Sequence, residues 1–149
     1  MKDAGALLRR DAWYWSPYNK TTAGAWIGAE PIVKLPRDAP AAVLGTTVIE
    51  LLAASTGPVP HPTDWKKLLE PLLAAAGVKS WRTLAAGAKS VSVESDDAFY
   101  TVCPNARDRR NNFLPLPERN IRLPISATAE ELGRAIQEGA SLCEEPSES

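Results

Sequence analysis

The residues whose chemistry could carry a reaction are few and far apart. His61 is the single histidine, and it lies in Val59-Pro60-His61-Pro62-Thr63. A Ser–His–Asp relay needs its imidazole oriented by a third group on a rigid frame. A proline loop offers neither, so packing or solvent exposure is the expected role. One histidine also excludes a His-x-x-x-His zinc motif. Cys103 and Cys143 stand 40 residues apart, which is neither a zinc spacing nor a disulfide framework. Two reduced thiols are expected. There is no Gly-x-Ser-x-Gly elbow, phosphate-binding glycine loop or dinucleotide fingerprint. The expectation is therefore no catalytic residue, no metal and no cofactor.

What remains is contact chemistry. Glu94, Asp96 and Asp97 cluster where a tight turn is expected. They read either as a solvated turn or as an acidic patch that meets basic groups on a partner. Arg107, Asp108, Arg109 and Arg110 have two readings as well: phosphate contacts, or ion pairs and a partner contact. The net charge of −1 and pI near 5.9 weigh against non-specific binding to nucleic acid or an anionic membrane, both of which need a positive excess. A small nucleic-acid-binding module using the Arg107–Arg110 loop is the alternative. The rings Trp13, Tyr14, Trp15, Tyr18 and Trp26 crowd the N-terminal region. Strand alternation turns half of such rings inward and leaves the rest as interface anchors.

These groups need elements to hold them. The chain has 149 residues, 44% of them hydrophobic and 23% charged, which suits one globular domain that folds without metal or disulfide. Residues 11–18 read as a strand because aromatics favour pleated surfaces. A turn at 19–22, an extended piece at Trp26-Ile27 and a strand at 32–35 follow, the last closed by Pro36. Val43, Leu44, Val48, Leu51 and Leu52 recur at helical spacing, giving a helix near 40–55. A second amphipathic helix begins after Thr63-Asp64 and meets Pro71, which predicts a kink or two short helices. A helical turn at 80–86 precedes a hairpin of 90–94 and 99–103, ended by Pro104. Residues 105–112 read as a polar loop. A short strand, Ile121 to Leu123, leads to a last helix near 128–142, and an acidic tail at 144–149 is expected to fray.

The most informative pattern is a repeat. Val33-Lys34-Leu35-Pro36, Ala39, Ala41, Leu44-Gly45, Val48 and Glu50 return without a gap, 88 residues later, as Ile121-Arg122-Leu123-Pro124, Ala127, Ala129, Leu132-Gly133, Ile136 and Glu138. Each copy is a strand ended by proline, a short turn and an amphipathic helix. A glycine early in each helix costs roughly 0.5–1 kcal/mol against alanine, so a close approach of the helix to the sheet is expected to offset it. The fold class that follows is α+β: two repeat-related helices and a shorter helical segment packed on one antiparallel or mixed sheet.

The paired Leu-Pro…Ala…Leu-Gly units resemble the CdiI immunity proteins of contact-dependent growth inhibition. Ala76-Gly77-Val78-Lys79-Ser80-Trp81, Gly87 through Glu94, and the stretch from Tyr100 through Pro104 to Phe113 share the resemblance. It implies one immunity-protein domain over 1–149, with repeat-like units at about 32–55 and 120–142. It also implies a non-enzymatic protein that binds the C-terminal toxin domain of its cognate CdiA-type effector one to one, the toxin often being a nuclease acting on tRNA. No catalytic residue carries over. Toxin contacts are expected among Trp13, Trp15, Trp26, Glu94, Asp96, Asp97, Arg107, Asp108, Arg109 and Arg110. Residues 1–10 hold no long apolar stretch, and no apolar run approaches the ~20 residues that span a bilayer. A cytoplasmic location without membrane contact or direct nucleic-acid binding is expected.

Overall fold

The computed structural model describes residues 1–146. Among these residues, eight strands form one antiparallel sheet: β1 (Lys2–Leu8), β2 (Ala12–Lys20), β3 (Trp26–Gly28), β4 (Val33–Pro36), β5 (Lys89–Ser95), β6 (Phe99–Arg107), β7 (Phe113–Pro115) and β8 (Ile121–Pro124). The helices are α1 (Ala41–Ala54), α2 (Trp65–Ala76), α3 (Trp81–Ala85) and α4 (Ala129–Ser141). The fold is α+β, as the patterning predicts, and the sheet is antiparallel throughout its named strands.

The repeat extends further than its sequence trace. The hairpin β1–β2, the strand β4 and the helix α1 correspond to β5–β6, β8 and α4. β1 and β5 pair in the middle of the sheet, with Gly5 opposite Ser92, Ala4 opposite Val93 and Ala6 opposite Val91. Taking Pro17 and Pro104 as equivalent maps residue 5 onto residue 92, so the Gly5–Ser92 pair lies on an internal pseudo-two-fold. β2 pairs first with β4, over residues 12–15, and then with β3, over 18–20. β6 does the same, pairing with β8 over 99–102 and with β7 over 105–107. Pro17 and Pro104 occupy the two equivalent gaps between partners. A proline offers no ladder donor, and at these gaps the outer neighbour requires none. β6 therefore runs through Pro104 to Arg107, so residues 105–107 are strand and not the expected polar loop.

One face of the sheet carries the main core. Ala4, Ala6, Leu8, Trp13, Trp15, Val91, Val93, Tyr100 and Val102 meet Leu44, Val48, Leu51, Leu52, Leu132, Ala135 and Ile136 from α1 and α4. The two helices cross at their glycines. A Cβ built on Gly45 would collide with the Ala129 carbonyl, and one on Gly133 would collide with the Ala41 carbonyl. The close approach is therefore helix to helix, reciprocal across the pseudo-two-fold, and not helix to sheet as expected. Cα–H···O contacts suit such a crossing. α4 starts with a capping box, in which Thr128 Oγ1 accepts from Glu131 N and Glu131 returns a carboxylate to Thr128 N.

The segment between the repeats covers part of the other face. α2 is a single helix with Pro71 inside it, capped by Asp64 and ended by Gly77 at φ 70°. Leu69, Leu72 and Leu73 of α2, with Trp81 and Leu84, pack on Leu7, Ala88 and Phe113. At the C-terminus, Glu144 pairs with Ala106 and accepts a hydrogen bond from Arg107 N at 2.8 Å. The chain is thus tied down at the first residue of the expected frayed tail; 147–149 lie outside the described residues.

Candidate partner-binding face

The ten expected contact residues do not form one patch. Trp13 and Trp15 are 2% and 0% exposed and stack at 5.4 Å within the helix-facing core. They are structural, and a surface-anchor role is excluded by burial. The alternation argument fails here because Tyr14, on the opposite face, is also buried at 2%, with its hydroxyl donating to Asp11 at 2.8 Å. Trp26 lies half-buried on the edge strand β3, with the Lys20 ammonium 5.8 Å from its ring centre.

The acidic trio separates in the same way. Asp96 Oδ1 accepts from Ala98 N and Phe99 N, both at 2.8 Å. Those two bonds hold its carboxyl below the usual range, so Asp96 builds the β5–β6 turn. Asp97 is exposed beside it. Glu94 belongs to the sheet surface, directly opposite Asp3 of β1.

At the other end of β6, Arg107 is largely committed within the protein. Its Nε donates to Ala88 O at 3.2 Å and its Nη1 to Asn111 Oδ1 at 3.2 Å, and Glu145 lies 3.9 Å away. Asp108 Oδ1 accepts from Arg110 N and Asn112 N, which closes the loop and lowers its pKa. Arg109 and Arg110 are exposed. The nucleic-acid reading thereby loses the guanidinium at the root of its loop.

The feature that sequence patterning misses is the space beneath α2. Its apolar stripe is only half-buried, and none of its twelve residues is fully buried. A cleft of about 930 Å³ separates it from the sheet. Ser16, Tyr18, Ile27 and Gly28 form the sheet side, Trp65, Leu68 and Leu72 the helix side, and Val59, Pro60 and Pro62 close the end. Trp65 is 54% exposed at the mouth. His61 holds this loop in place: its Nδ1 lies 2.9 Å from Thr21 Oγ1, and its ring meets Trp65 edge-on at 5.5 Å. Glu30, Asp64 and Lys67 stand around the cleft, and Glu30 and Glu70 flank the adjoining depression. The surround is thus acidic by three carboxylates to one ammonium.

The second missed feature is Asp3. Residues 1–10 lack β-branched side chains, so β1 has no strand signature, yet it lies at the centre of the sheet. Asp3 is 6% exposed, and its Oδ1 has no hydrogen-bond partner among the described residues. Burial, and then the Glu94 carboxylate, push its pKa up to about 7.

Among the described residues no cluster of three or more His, Cys, Asp and Glu side chains is arranged to hold a metal. No helix among them is long and apolar enough to cross a membrane.

Comparison with known proteins gives the arrangement a context. A protein of unknown function from Neisseria meningitidis has the same fold, with a TM-score of 0.80, 20% identity and coverage of 95% of this chain and 94% of that one. A chain of a CdiA-CT/CdiI toxin and immunity complex from Yersinia pseudotuberculosis has it too, with a TM-score of 0.78, 16% identity and coverage of 96% and 97%. No curated protein sequence matches. The family model for CdiI, the CDI immunity protein, matches residues 29–143. That span takes in α1, the whole α2–α3 insertion and the second repeat through α4, and the chain therefore belongs to the CdiI family of CDI immunity proteins.

Proposed function

We propose that this protein protects its host by binding the cognate C-terminal toxin domain of a CdiA-type effector in the cytoplasm, one to one, with no turnover of its own. The observation that carries the reading is the CdiI family match across residues 29–143. The fold shared with a chain of a toxin and immunity complex supports it. Blockade by mass action needs an affinity on the order of nanomolar or tighter, and that calls for a preformed site with buried anchors.

The cleft under α2 is our choice of docking face. It pairs a large apolar interior with an acidic surround, which fits an apolar segment of a basic protein. A nuclease toxin is such a protein, because its own substrate is a polyanion. Trp65 is the exposed ring at the mouth. Trp26 on the β3 edge and Asp97 at the β5–β6 turn are further contacts within this proposal. The exposed Arg109 and Arg110 lie at the opposite end of β6 and stay outside it.

The test is a growth assay in cells expressing the toxin domain encoded next to this gene, with an unrelated toxin as control. Survival with the cognate toxin alone, and recovery of an equimolar complex, is the expected result. Death of cells that hold folded protein would remove the immunity reading. Measuring the toxin's cleavage of tRNA with and without the protein tests the nuclease assignment separately.

A further inference from the structure

The sheet surface that α1 and α4 do not cover has a polar centre. Asp3 on β1 and Glu94 on β5 are directly opposed in the antiparallel register, and such partners have Cα atoms about 4.5–5.5 Å apart. Ala4, Ala6 and Leu8 turn towards the helices, so Asp3 turns the other way. Leu7, which shares its face, is covered by α2 and α3. Asp3 sits at the opposite end of β1 and is buried there too, at 6% exposure. Glu94 is half-exposed there.

Like charges directly opposite across strands oppose folding. A buried carboxyl with an oxygen left unpaired costs more, and the Ala4 backbone N–H offsets only part of it. Among the described residues, Asp3 Oδ1 has no hydrogen-bond partner. The titratable groups that face Asp3 do not relieve it. Glu94 on β5 is acidic, and Tyr18 on β2 and Cys103 on β6 are raised in pKa first by burial, to which the Asp3 charge adds. Lys2, one residue away, has its ammonium on Ser55 O at 2.6 Å. The Asp3 backbone N–H donates to Ser55 Oγ, which fixes the strand without neutralising the side chain. The site lacks one thing, a cation.

Geometry also gives a route to it. Tyr18 lines the cleft under α2 and is the direct β-sheet partner of Asp3. Its ring lies across Gly5, where any side chain would collide with it. Neither carboxylate lines the cleft: Asp3 lies one strand beyond Tyr18 and Glu94 two, so an arginine of a segment seated there would have to extend past the Tyr18 ring to meet them.

We propose that Asp3 and Glu94 form a two-carboxylate receptor for one arginine guanidinium of the toxin partner. A guanidinium carries five donors in a planar fork and stays charged. It serves two carboxylates on neighbouring strands at once, which a single ammonium does with less directional control. The proposal rests on the toxin-binding reading and adds the chemistry of the group received. It gives the receptor opposite effects in the two states: unfavourable for the free fold, favourable in the complex.

Calorimetry of toxin-domain binding at pH 6, 7 and 8 tests it, with wild type, Asp3→Asn, Glu94→Gln and, as control, Glu138→Gln, an exposed residue of α4 on the helix side of the sheet. Each receptor variant is expected to weaken binding at least ten-fold at pH 8. Wild-type affinity is expected to rise from pH 6 to pH 8 as Asp3 ionises, and Asp3→Asn to abolish the rise. Glu138→Gln changes the same formal charge and is expected to leave the affinity within about two-fold. The free Asp3→Asn protein is expected to melt above wild type at pH 8, so weaker binding cannot be blamed on poorer folding. Wild-type binding with unchanged affinity in both receptor variants would overturn the receptor and leave the toxin reading standing. Weakened binding together with a lower melting temperature of free Asp3→Asn would also overturn it, by making Asp3 a structural residue. A wild-type protein that does not bind the toxin would overturn the toxin reading itself, and this assignment with it.

Discussion

Alanine at Gly45 tests the helix crossing directly. Its Cβ would overlap the Ala129 carbonyl oxygen and stand 2.5 Å from the carbonyl carbon, and a Cβ at Gly133 would overlap the Ala41 carbonyl in the same way. Carbon atoms prefer ~3.5–4.0 Å, so α1 and α4 must separate by more than about 1 Å. The obstacle is backbone on both sides, which has no rotamer to escape into. We place the overpacking cost at the upper end of the usual range, about 3 kcal/mol. Alanine recovers about 1 kcal/mol of helix propensity, which leaves a net loss of about 2 kcal/mol. For a chain of this size that lowers the melting temperature by about 6 °C. The two contacts are two ends of one crossing, so the separation forced by the first methyl makes room for the second. Gly45→Ala with Gly133→Ala is therefore expected to lose about 1–2 kcal/mol, no more than either single variant and well short of their sum. Urea melts of the four proteins measure this. A double loss equal to the sum, or a single variant as stable as wild type, would refute the reciprocal crossing.

Three further outcomes follow from other parts of the fold. The Asp3 carboxyl, raised from 3.8 to about 7, binds its proton more tightly in the folded state, so its contribution is most favourable below the unfolded value and is lost as pH rises to about 7. Stability from urea melts is expected to fall between pH 5 and pH 8 by up to about 3 kcal/mol, roughly 1.4 kcal/mol for each of the two pH units below the folded pKa, and Asp3→Asn to flatten that slope. The Cys103 thiol is pushed up to about 12 by burial and then by Glu94, so it is expected to resist iodoacetamide at pH 8 in native protein and react on denaturation. Trp65→Ala at the cleft mouth is expected to weaken toxin binding by roughly 2 kcal/mol while moving the melting temperature by less than 2 °C, since the ring is mostly in solvent; an unchanged dissociation constant would take Trp65 out of the interface.

The elements that sequence patterning exposes are those with a one-sided environment. α1 and α4 have a core face and a solvent face, and their periodicity shows it. The ungapped offset between Leu44-Gly45 and Leu132-Gly133 carries the duplication into view. β1 stays hidden because Ala4 to Leu8 are buried on both faces, which erases alternation, and because alanine and glycine carry no strand preference. Pro104 looks like a terminator until the switch of β6 from β8 to β7 is known, since only that switch removes the need for its N–H. The glycines signal close approach correctly, but the identity of the approaching surface is a tertiary fact. The same holds for the candidate site. Asp96 and Arg107 are visible as charges, yet their hydrogen bonds decide that they are scaffold. The cleft exists because a helix fails to seat fully on the sheet, which no local pattern encodes.

The β1–β5 seam also sets a timetable. It joins segments 87 residues apart at the centre of the sheet, and α4, which completes the crossing with α1, ends at Ser141. At a synthesis rate of about 5–20 residues per second, β1 waits roughly 4–17 s for its partner strand to be made. During that interval one edge of β1 is an open row of backbone donors and acceptors, and the crossing face of α1 has no mate. Contacts this distant also slow folding after release. Resistance conferred by a new copy therefore lags its translation, and the nascent first half has more to gain from a chaperone than a finished chain has.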